Sequence, residues 1–125
     1  MTIILVLISL IICHYLADFQ LTTPSMIAAK TKGAPALPIM SHAAVHALLI
    51  FLCLLIAGAT WELSSILAGI EFITHFIIDS LKGRLTALYP TLADMQKKPY
   101  WQLYGLDQFL HILVIIFIWY SAITS

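Results

Sequence analysis

Charged residues are scarce in this sequence. They make up 10% of its 125 residues, against about a quarter in an average soluble domain. Hydrophobic residues make up 62%, so too few charges remain to cover a soluble globule of this length. The same composition excludes an intrinsically disordered chain, which needs low hydrophobicity and high charge. The formal net charge is zero, so no bulk attraction to nucleic acid is expected.

Cysteine is almost absent as well. Cys13 and Cys53 both lie in apolar runs, so the sequence contains neither a disulfide framework nor a spaced zinc–thiolate motif. We interpret both as small apolar packing residues. The first segment is apolar from its start, with no basic region and no small-residue cleavage site before Asp18. We therefore expect a retained helix rather than a signal peptide.

Long apolar stretches dominate what is present. A helix that crosses a bilayer needs about 20 mostly apolar residues, and the sequence predicts four such spans. The fold class is therefore all-α: an integral membrane bundle of four transmembrane helices that forms a single domain over residues 1–125. The predicted spans are roughly residues 2–19, 41–60, 62–80 and 106–123, and the long links are residues 20–40 and 81–105.

The two long links contain all six basic residues of the chain. Within the first link, Thr23 and Pro24 predict the start of a short surface helix that runs to Lys30 and ends near Gly33. The positive-inside rule places both links in the cytoplasm and both termini outside. We therefore expect a multi-pass protein of the inner (plasma) membrane. The basic residues are Lys30, Lys32, Lys82, Arg84, Lys97 and Lys98.

Ionisable side chains inside the predicted spans interrupt the apolar pattern. They are spaced four residues apart, and residues with that spacing lie one turn apart on the same helix face. Because charged and imidazole side chains are rare in spans, they are functional candidates. The first span carries His14 and Asp18, the second His42 and His46, the third Glu71, His75 and Asp79, and the fourth Asp107 and His111.

The topology places these four polar stripes at one depth. The first and third spans carry them toward their ends, and the second and fourth near their beginnings, so all lie on the side of the long links. We expect the stripes to turn inward, away from lipid, and to form one cluster of five imidazoles and four carboxylates. Bundles build metal sites from such inward side chains. Without a cation, four carboxylates buried together could not all be ionised.

We predict that this cluster holds one or two divalent transition-metal ions, namely zinc, manganese or iron. His14 and Glu71 could be ligands, support the ligands or act as a general base. Lys82 could face a substrate phosphate, although its simpler role is to anchor a helix to anionic headgroups. These three form the predicted catalytic set. The predicted metal ligands are Asp18, His42, His46, His75, Asp79, Asp107 and His111.

Two other interpretations compete with metal binding. A network of His–Asp hydrogen bonds between helices would stabilise the bundle by only about 0.6–2 kcal/mol per bond. That gain is small compared with the cost of burying so many ionisable groups. A proton or ion pathway would need polar residues through the whole depth. The other halves of the spans are almost purely apolar, apart from Ser9, Ser64 and Ser65.

The motifs also resemble a known family. The segment His14-Tyr-Leu-Ala-Asp-Phe-Gln20, then Lys30, then His42-Ala-Ala-Val-His46, resembles the opening of the DUF3307 family of small bacterial and phage membrane proteins. The later pattern of Glu71, His75, Asp79 and Lys82, followed by Asp107, Gln108 and His111, fits the same family in order and spacing. The motifs are also broadly similar to those of a family of membrane-bound metal-dependent hydrolases.

The favoured function is a membrane-embedded, metal-dependent hydrolase that acts at the cytoplasmic face on a phosphoester or a lipid headgroup. One alternative is a channel or transporter for metal ions or protons. Another is a non-catalytic membrane subunit of a larger complex with a structural His/Asp cluster. The expected partner is the lipid bilayer. The sequence leaves open whether the protein forms a homodimer or a larger membrane complex, and no nucleic-acid partner is expected.

The orientation predicts a labelling pattern in intact cells. A membrane-impermeant thiol reagent added outside should label Ser125→Cys and should leave Lys32→Cys and Lys97→Cys unlabelled until the cells are lysed, because the positive-inside rule keeps the basic links in the cytoplasm. Labelling of the two link positions from outside would reverse the orientation.

Overall fold

Five α-helices make up most of the chain in the computed structural model, which describes residues 2–33 and 35–125. A π-helical turn, Leu16–Gln20, continues α1, and a short 3-10 turn, Pro90–Ala93, precedes α5. No strand occurs in the described residues, which confirms the all-α prediction. The helices are α1 (Ile3–Tyr15), α2 (Pro24–Lys32), α3 (Ala36–Ala57), α4 (Trp61–Leu88) and α5 (Lys98–Thr124).

Four helical segments are long and apolar enough to cross a membrane: Ile3–Gln20, Ala36–Ala57, Trp61–Leu88 and Lys98–Thr124. Their outward surfaces carry many large apolar side chains, such as Ile56, which is 77% exposed. A soluble monomer rarely exposes apolar surface on this scale, whereas lipid accommodates it. The chain is therefore a helical membrane bundle with four candidate spans.

Two helices begin earlier than the sequence predicts. α3 starts at Ala36 although Pro38 follows, and α5 starts at Lys98 although Pro99 follows. Proline is tolerated there because the first N–H groups of a helix have no intrahelical partner to lose. α4 also continues to Leu88, so Lys82 lies on a helix and not in a link.

The short helix α2 forms where the sequence predicts it. Thr23 is its N-cap, and its side chain accepts a hydrogen bond from the Met26 N–H at 3.3 Å. Pro24 is the first helical residue, and Gly33 ends the helix in the left-handed conformation with φ 73°. A glycine adopts this conformation at little cost, which makes it a common helix terminator.

An apolar core fills the half of the bundle that contains the chain termini. It includes Leu10, Ile50, Leu54 and Ile115, each of which exposes 1% of its surface or less. Cys53 is 7% exposed and belongs to this core, in keeping with a packing role. The buried imidazoles and carboxylates lie in the other half.

A close backbone contact fixes α2 against α4. A Cβ atom added at Gly83 would lie 2.9 Å from the Gly33 Cα and 3.1 Å from the carbonyl oxygen of Ala29. Only glycine at position 83 permits this approach. The contact matters for the site because α2 carries Lys30 on the same turns.

The contact predicts that Gly83→Ala destabilises the bundle by about 1–3 kcal/mol, the usual cost of overpacking. Gly69→Ala on the same helix is the matched control, because a Cβ there meets no atom of the described chain within 4 Å. The control should be neutral or more stable, since alanine favours a helix over glycine by about 0.5–1 kcal/mol. Thermal unfolding in detergent measures both. Equal stability of the two variants would contradict the contact.

Candidate metal centre

The structure brings together all nine carboxylate and imidazole residues that the sequence analysis singled out. None exposes more than 7% of its surface. They come from α1 and its π-helical turn, α3, α4 and α5, as the stripe pattern predicts. We refer to them as the polar centre. Its members are His14, Asp18, His42, His46, Glu71, His75, Asp79, Asp107 and His111.

Asp18 lies in the π-helical turn. The Leu21 N–H donates to the Leu16 carbonyl oxygen five residues earlier, at 2.9 Å, and such turns are frequent at functional sites. From this turn, Asp18 Oδ1 lies 3.0 Å from His42 Nε2 and 3.3 Å from His46 Nε2. The sequence analysis assumed a regular α-helix here, because nothing in the residue pattern marks a π-helical turn.

Asp79 and Asp107 form the side of the centre nearer α5. His111 Nε2 lies 3.3 Å from Asp79 Oδ1 and 3.5 Å from Asp107 Oδ1. Lys82 donates to Asp107 Oδ2 at 2.8 Å. Gln108 Nε2 donates to Asp18 and Asp107 at 3.2 Å each, so it links α5 to the turn after α1.

The imidazole rings are packed against one another around Glu71. The ring centroids of His46 and His75 are 3.6 Å apart, and those of His75 and His111 are 4.1 Å apart. Glu71 Oε1 lies 3.2 Å from His75 Nδ1 and 3.7 Å from His46 Nδ1. Rings this close repel one another when all are charged, whereas neutral rings are the form that binds metal ions.

Several buried polar atoms of the centre have no hydrogen-bond partner among the described residues. They include both ring nitrogens of His14, His46 Nδ1 and Glu71 Oε2. A buried polar atom without a partner costs about 1–3 kcal/mol, and a bound cation would supply the missing contacts. Three overlapping groups have ligand atoms within 4.8 Å of one another: His14, His46, Glu71 and His75; Asp18, His42, His46 and His75; and His75, Asp79 and His111.

Lys30 reaches the centre from α2, and the sequence analysis missed it. Its Nζ donates to Asp18 Oδ1 at 3.0 Å and lies 3.1 Å from His42 Nε2 and 3.5 Å from Asp79 Oδ2. Burial alone would lower the pKa of Lys30, but the carboxylates of Asp79 and Asp18 outweigh it and hold that pKa above its usual value. The sequence offers two signals for it, its place on a predicted helix between the two histidine motifs and its position in the family motif, but neither predicts a contact with the centre.

A cleft of about 600 Å³ opens beside the centre on the side of the links. Asp18 belongs both to the centre and to the cleft wall, and Lys30 and Lys82 lie on the same wall. The remaining lining is mixed, with an apolar side and several hydroxyl groups. It consists of Phe19, Thr22, Ile27, Thr31, Thr86, Leu92, Ala93, Tyr100, Leu103 and Tyr104.

A family model described as "Protein of unknown function (DUF3307)" matches residues 6–125. The chain belongs to the DUF3307 family. The match spans every residue of the polar centre as well as Lys30 and Lys82, so the resemblance found in the motifs is confirmed. No curated protein and no solved structure shows significant similarity to the chain. Membership of DUF3307 names no chemistry, and function has to be argued from the site itself.

The geometry predicts that Asp79→Asn weakens metal binding by about 10–100-fold, the usual effect of disturbing a metal site or its supporting hydrogen bonds. A purely hydrogen-bonded network predicts unchanged or higher stability, because asparagine still forms hydrogen bonds and a buried charge is removed. Metal titration and thermal unfolding of the same preparation separate the two. Asp94→Asn is the control, since Asp94 lies outside the centre with a side chain 41% exposed. Normal metal binding with raised stability would favour the structural network.

Proposed function

We propose that this protein is a membrane-embedded, metal-dependent hydrolase that acts at the link face of the bundle on a phosphoester or an anionic lipid headgroup. The observation that carries the proposal is the junction of the polar centre with the cleft. Asp18 belongs to both, and two lysines lie where an anionic substrate would enter. A closed structural metal site needs no such opening.

The residues of the centre fit a metal ion of the zinc, manganese or iron class, because they combine imidazole and carboxylate ligands with unpartnered buried atoms. When bound, such an ion polarises the scissile group and activates a water molecule as the nucleophile. Glu71 Oε2 and the ring nitrogens of His14 lack partners among the described residues. Each of these two residues could therefore bind the ion or accept a proton from the attacking water.

The lining of the cleft supports the proposed substrate class. Lys82 lines it with a side chain 17% exposed, so its ammonium can pair with an anionic oxygen while it stays beside Asp107. Phe19, Ile27 and Leu103 form an apolar part of the wall. A mixed lining of this kind suits an amphiphile, with its anionic group near the lysines and its hydrocarbon against the wall.

The apolar core favours hydrolysis over transport. A transporter needs a route from the centre to the opposite face, and the described residues of that half pack into a core in which Leu10 and Leu54 are fully buried. We propose that the open cleft faces the cytoplasm at the inner membrane, because Lys30 and Lys82 line it and basic residues favour the cytoplasmic side. The bilayer is the proposed partner, and a homodimer or larger membrane complex is compatible with the exposed helix faces.

The test is hydrolysis by the purified protein in lipid nanodiscs loaded with zinc, manganese or iron. Substrates are an anionic glycerophospholipid and a water-soluble phosphodiester, with release of the headgroup or the alcohol as the readout. Lys82→Met should raise KM about 10–100-fold and change kcat less, because a charge-assisted hydrogen bond contributes about 1.5–3 kcal/mol to binding.

Arg84→Met is the matched control, since Arg84 is an exposed cation on the same helix. It should keep the KM of the unaltered protein. An equal rise in both variants would mean that the cations act only through the membrane surface. Metal binding without hydrolysis of either substrate would overturn the proposal in favour of a non-catalytic membrane subunit.

A further inference from the structure

The polar centre contains two kinds of cation position, and the protein itself fills one of them. We propose that the centre binds a single divalent metal ion through Glu71 and the imidazoles of His14, His46 and His75, and that the Lys30 ammonium permanently takes the second cation position. This inference rests on the metal centre of the proposed function. It assigns the number of ions, their ligands and the roles of the neighbouring aspartates.

The orientation of two histidine rings separates the positions. His75 directs Nδ1 toward Glu71 Oε1 at 3.2 Å and Nε2 toward Asp79 Oδ2 at 3.4 Å. His46 does the same, with Nδ1 3.7 Å from Glu71 Oε1 and Nε2 3.3 Å from Asp18 Oδ1. Metal-binding histidines commonly donate their second ring N–H to a carboxylate. Both rings therefore turn Nδ1 toward Glu71. His46 bonds to Asp18 through Nε2, whereas His75 Nε2 lies close to Asp79 without a hydrogen bond.

Unpartnered atoms occur on both sides of the centre, since His75 Nε2 and Asp79 Oδ2 also lack hydrogen-bond partners, but among the described residues only the Glu71 side has no lysine at salt-bridge distance. His46 Nδ1, Glu71 Oε2 and both ring nitrogens of His14 have no hydrogen-bond partner among the described residues. These three residues expose 1%, 2% and 4% of their surface. With His75, they form a group whose ligand atoms lie within 4.8 Å of one another. Three imidazoles and one carboxylate are a donor set that suits zinc and related ions.

The Asp18 side is already occupied by a cation. Lys30 Nζ lies 3.0 Å from Asp18 Oδ1, 3.1 Å from His42 Nε2 and 3.5 Å from Asp79 Oδ2. A metal ion bound by the same atoms would have to displace the ammonium. The glycine contact between α2 and α4 holds the Lys30 backbone close to these ligands, so the ammonium is a built part of the centre.

The charges of the centre agree with a single divalent ion. Four buried carboxylates carry four negative charges, and the ammonium groups of Lys30 and Lys82 neutralise two of them. With neutral imidazoles, one divalent ion neutralises the remaining two. A second divalent ion would leave an uncompensated excess of positive charge in a low-dielectric interior, which is costly.

This assignment changes the roles of Asp18 and Asp79. The sequence predicts both as metal ligands, whereas here they are positioning residues that lie beside His46 and His75 and hold Lys30. The assignment also makes His14 and Glu71 ligands rather than a general base, and it leaves His42, Asp107 and His111 outside the ligand group. Lys30 contacts Asp18, which is bonded to His46 of the ligand group, and it also lines the cleft. An anionic group entering the cleft therefore meets this ammonium before it reaches the ion.

Metal counting on the purified full-length protein tests the proposal. After saturation with zinc and removal of the excess, the protein should retain about one ion per chain, and X-ray absorption should show about three imidazole ligands. Lys30→Met vacates the second position and should retain about two ions per chain. Lys32→Met, an exposed lysine of the same helix, should stay at about one.

Two further variants test the ligand assignment. Glu71→Gln removes the only carboxylate of the ligand group and should abolish retention of the ion. Asp18→Asn should keep the same stoichiometry with an affinity about 10–100-fold lower, as expected of a residue that acts through a histidine. Retention of the ion by Glu71→Gln together with its loss from Asp18→Asn would place the ion on the wrong side and overturn the assignment.

The outcomes distinguish this inference from the proposed function. Two ions in the unaltered protein, or an unchanged count in folded Lys30→Met, would refute the role of Lys30 and leave a metal-dependent hydrolase standing. One ion without any hydrolysis would refute the hydrolase and leave the single-ion site. No retained zinc, manganese or iron in the unaltered protein would refute both. The number of imidazole ligands is measured on the unaltered protein. The ligand assignment is therefore tested even if a variant fails to fold.

Discussion

Four carboxylates buried side by side are the constraint on which the rest of this structure depends. At low dielectric, like charges a few ångströms apart repel strongly, and each carboxylate also loses its hydration. Asp18 and Asp79 share the Lys30 ammonium, and Asp107 holds Lys82. Among the residues that the structure describes, Glu71 has only imidazoles at salt-bridge distance. The carboxylate without a lysine is thus the one surrounded by unpartnered ring nitrogens, which is why the two proposals converge on it.

The packing of α2 against α4 brings a lysine to these carboxylates. A short amphipathic surface helix adds little apolar burial to a four-span bundle, yet α2 packs so closely on α4 that Gly83 admits no side chain. That packing carries Lys30 to the open end of the centre, where its ammonium pairs with Asp18 and Asp79. The helix α2 therefore supplies both the ammonium at the second cation position and part of the cleft wall.

The composition predicts the bundle, and the four-residue spacing predicts that nine polar residues converge. Ionisable side chains in a span face the interior of the bundle because exposure to lipid is costly. Lys30 escapes prediction because its contact with Asp18 depends on a tertiary glycine contact rather than on spacing. The π-helical turn at Asp18 is not predicted because no residue type in that segment indicates it. Helix starts at Ala36 and Lys98 were missed because proline signals a loop and is also tolerated in a first turn.

The division of the bundle into an apolar half and a polar half has a chemical consequence. In the apolar half, residues such as Leu10 and Ile115 are fully buried, so water and ions reach the centre from the link side. Around a one-sided centre, the low-dielectric core strengthens every interaction between the ligands and a bound cation. In the proposed enzyme, the same core leaves the cleft as the route by which substrate and water would arrive. Lys30 and Lys82 line that route, so the residues that neutralise the centre are also the ones that an anion meets. Charge balance and substrate selection are therefore properties of one set of side chains, and a substitution that disturbs one will disturb the other.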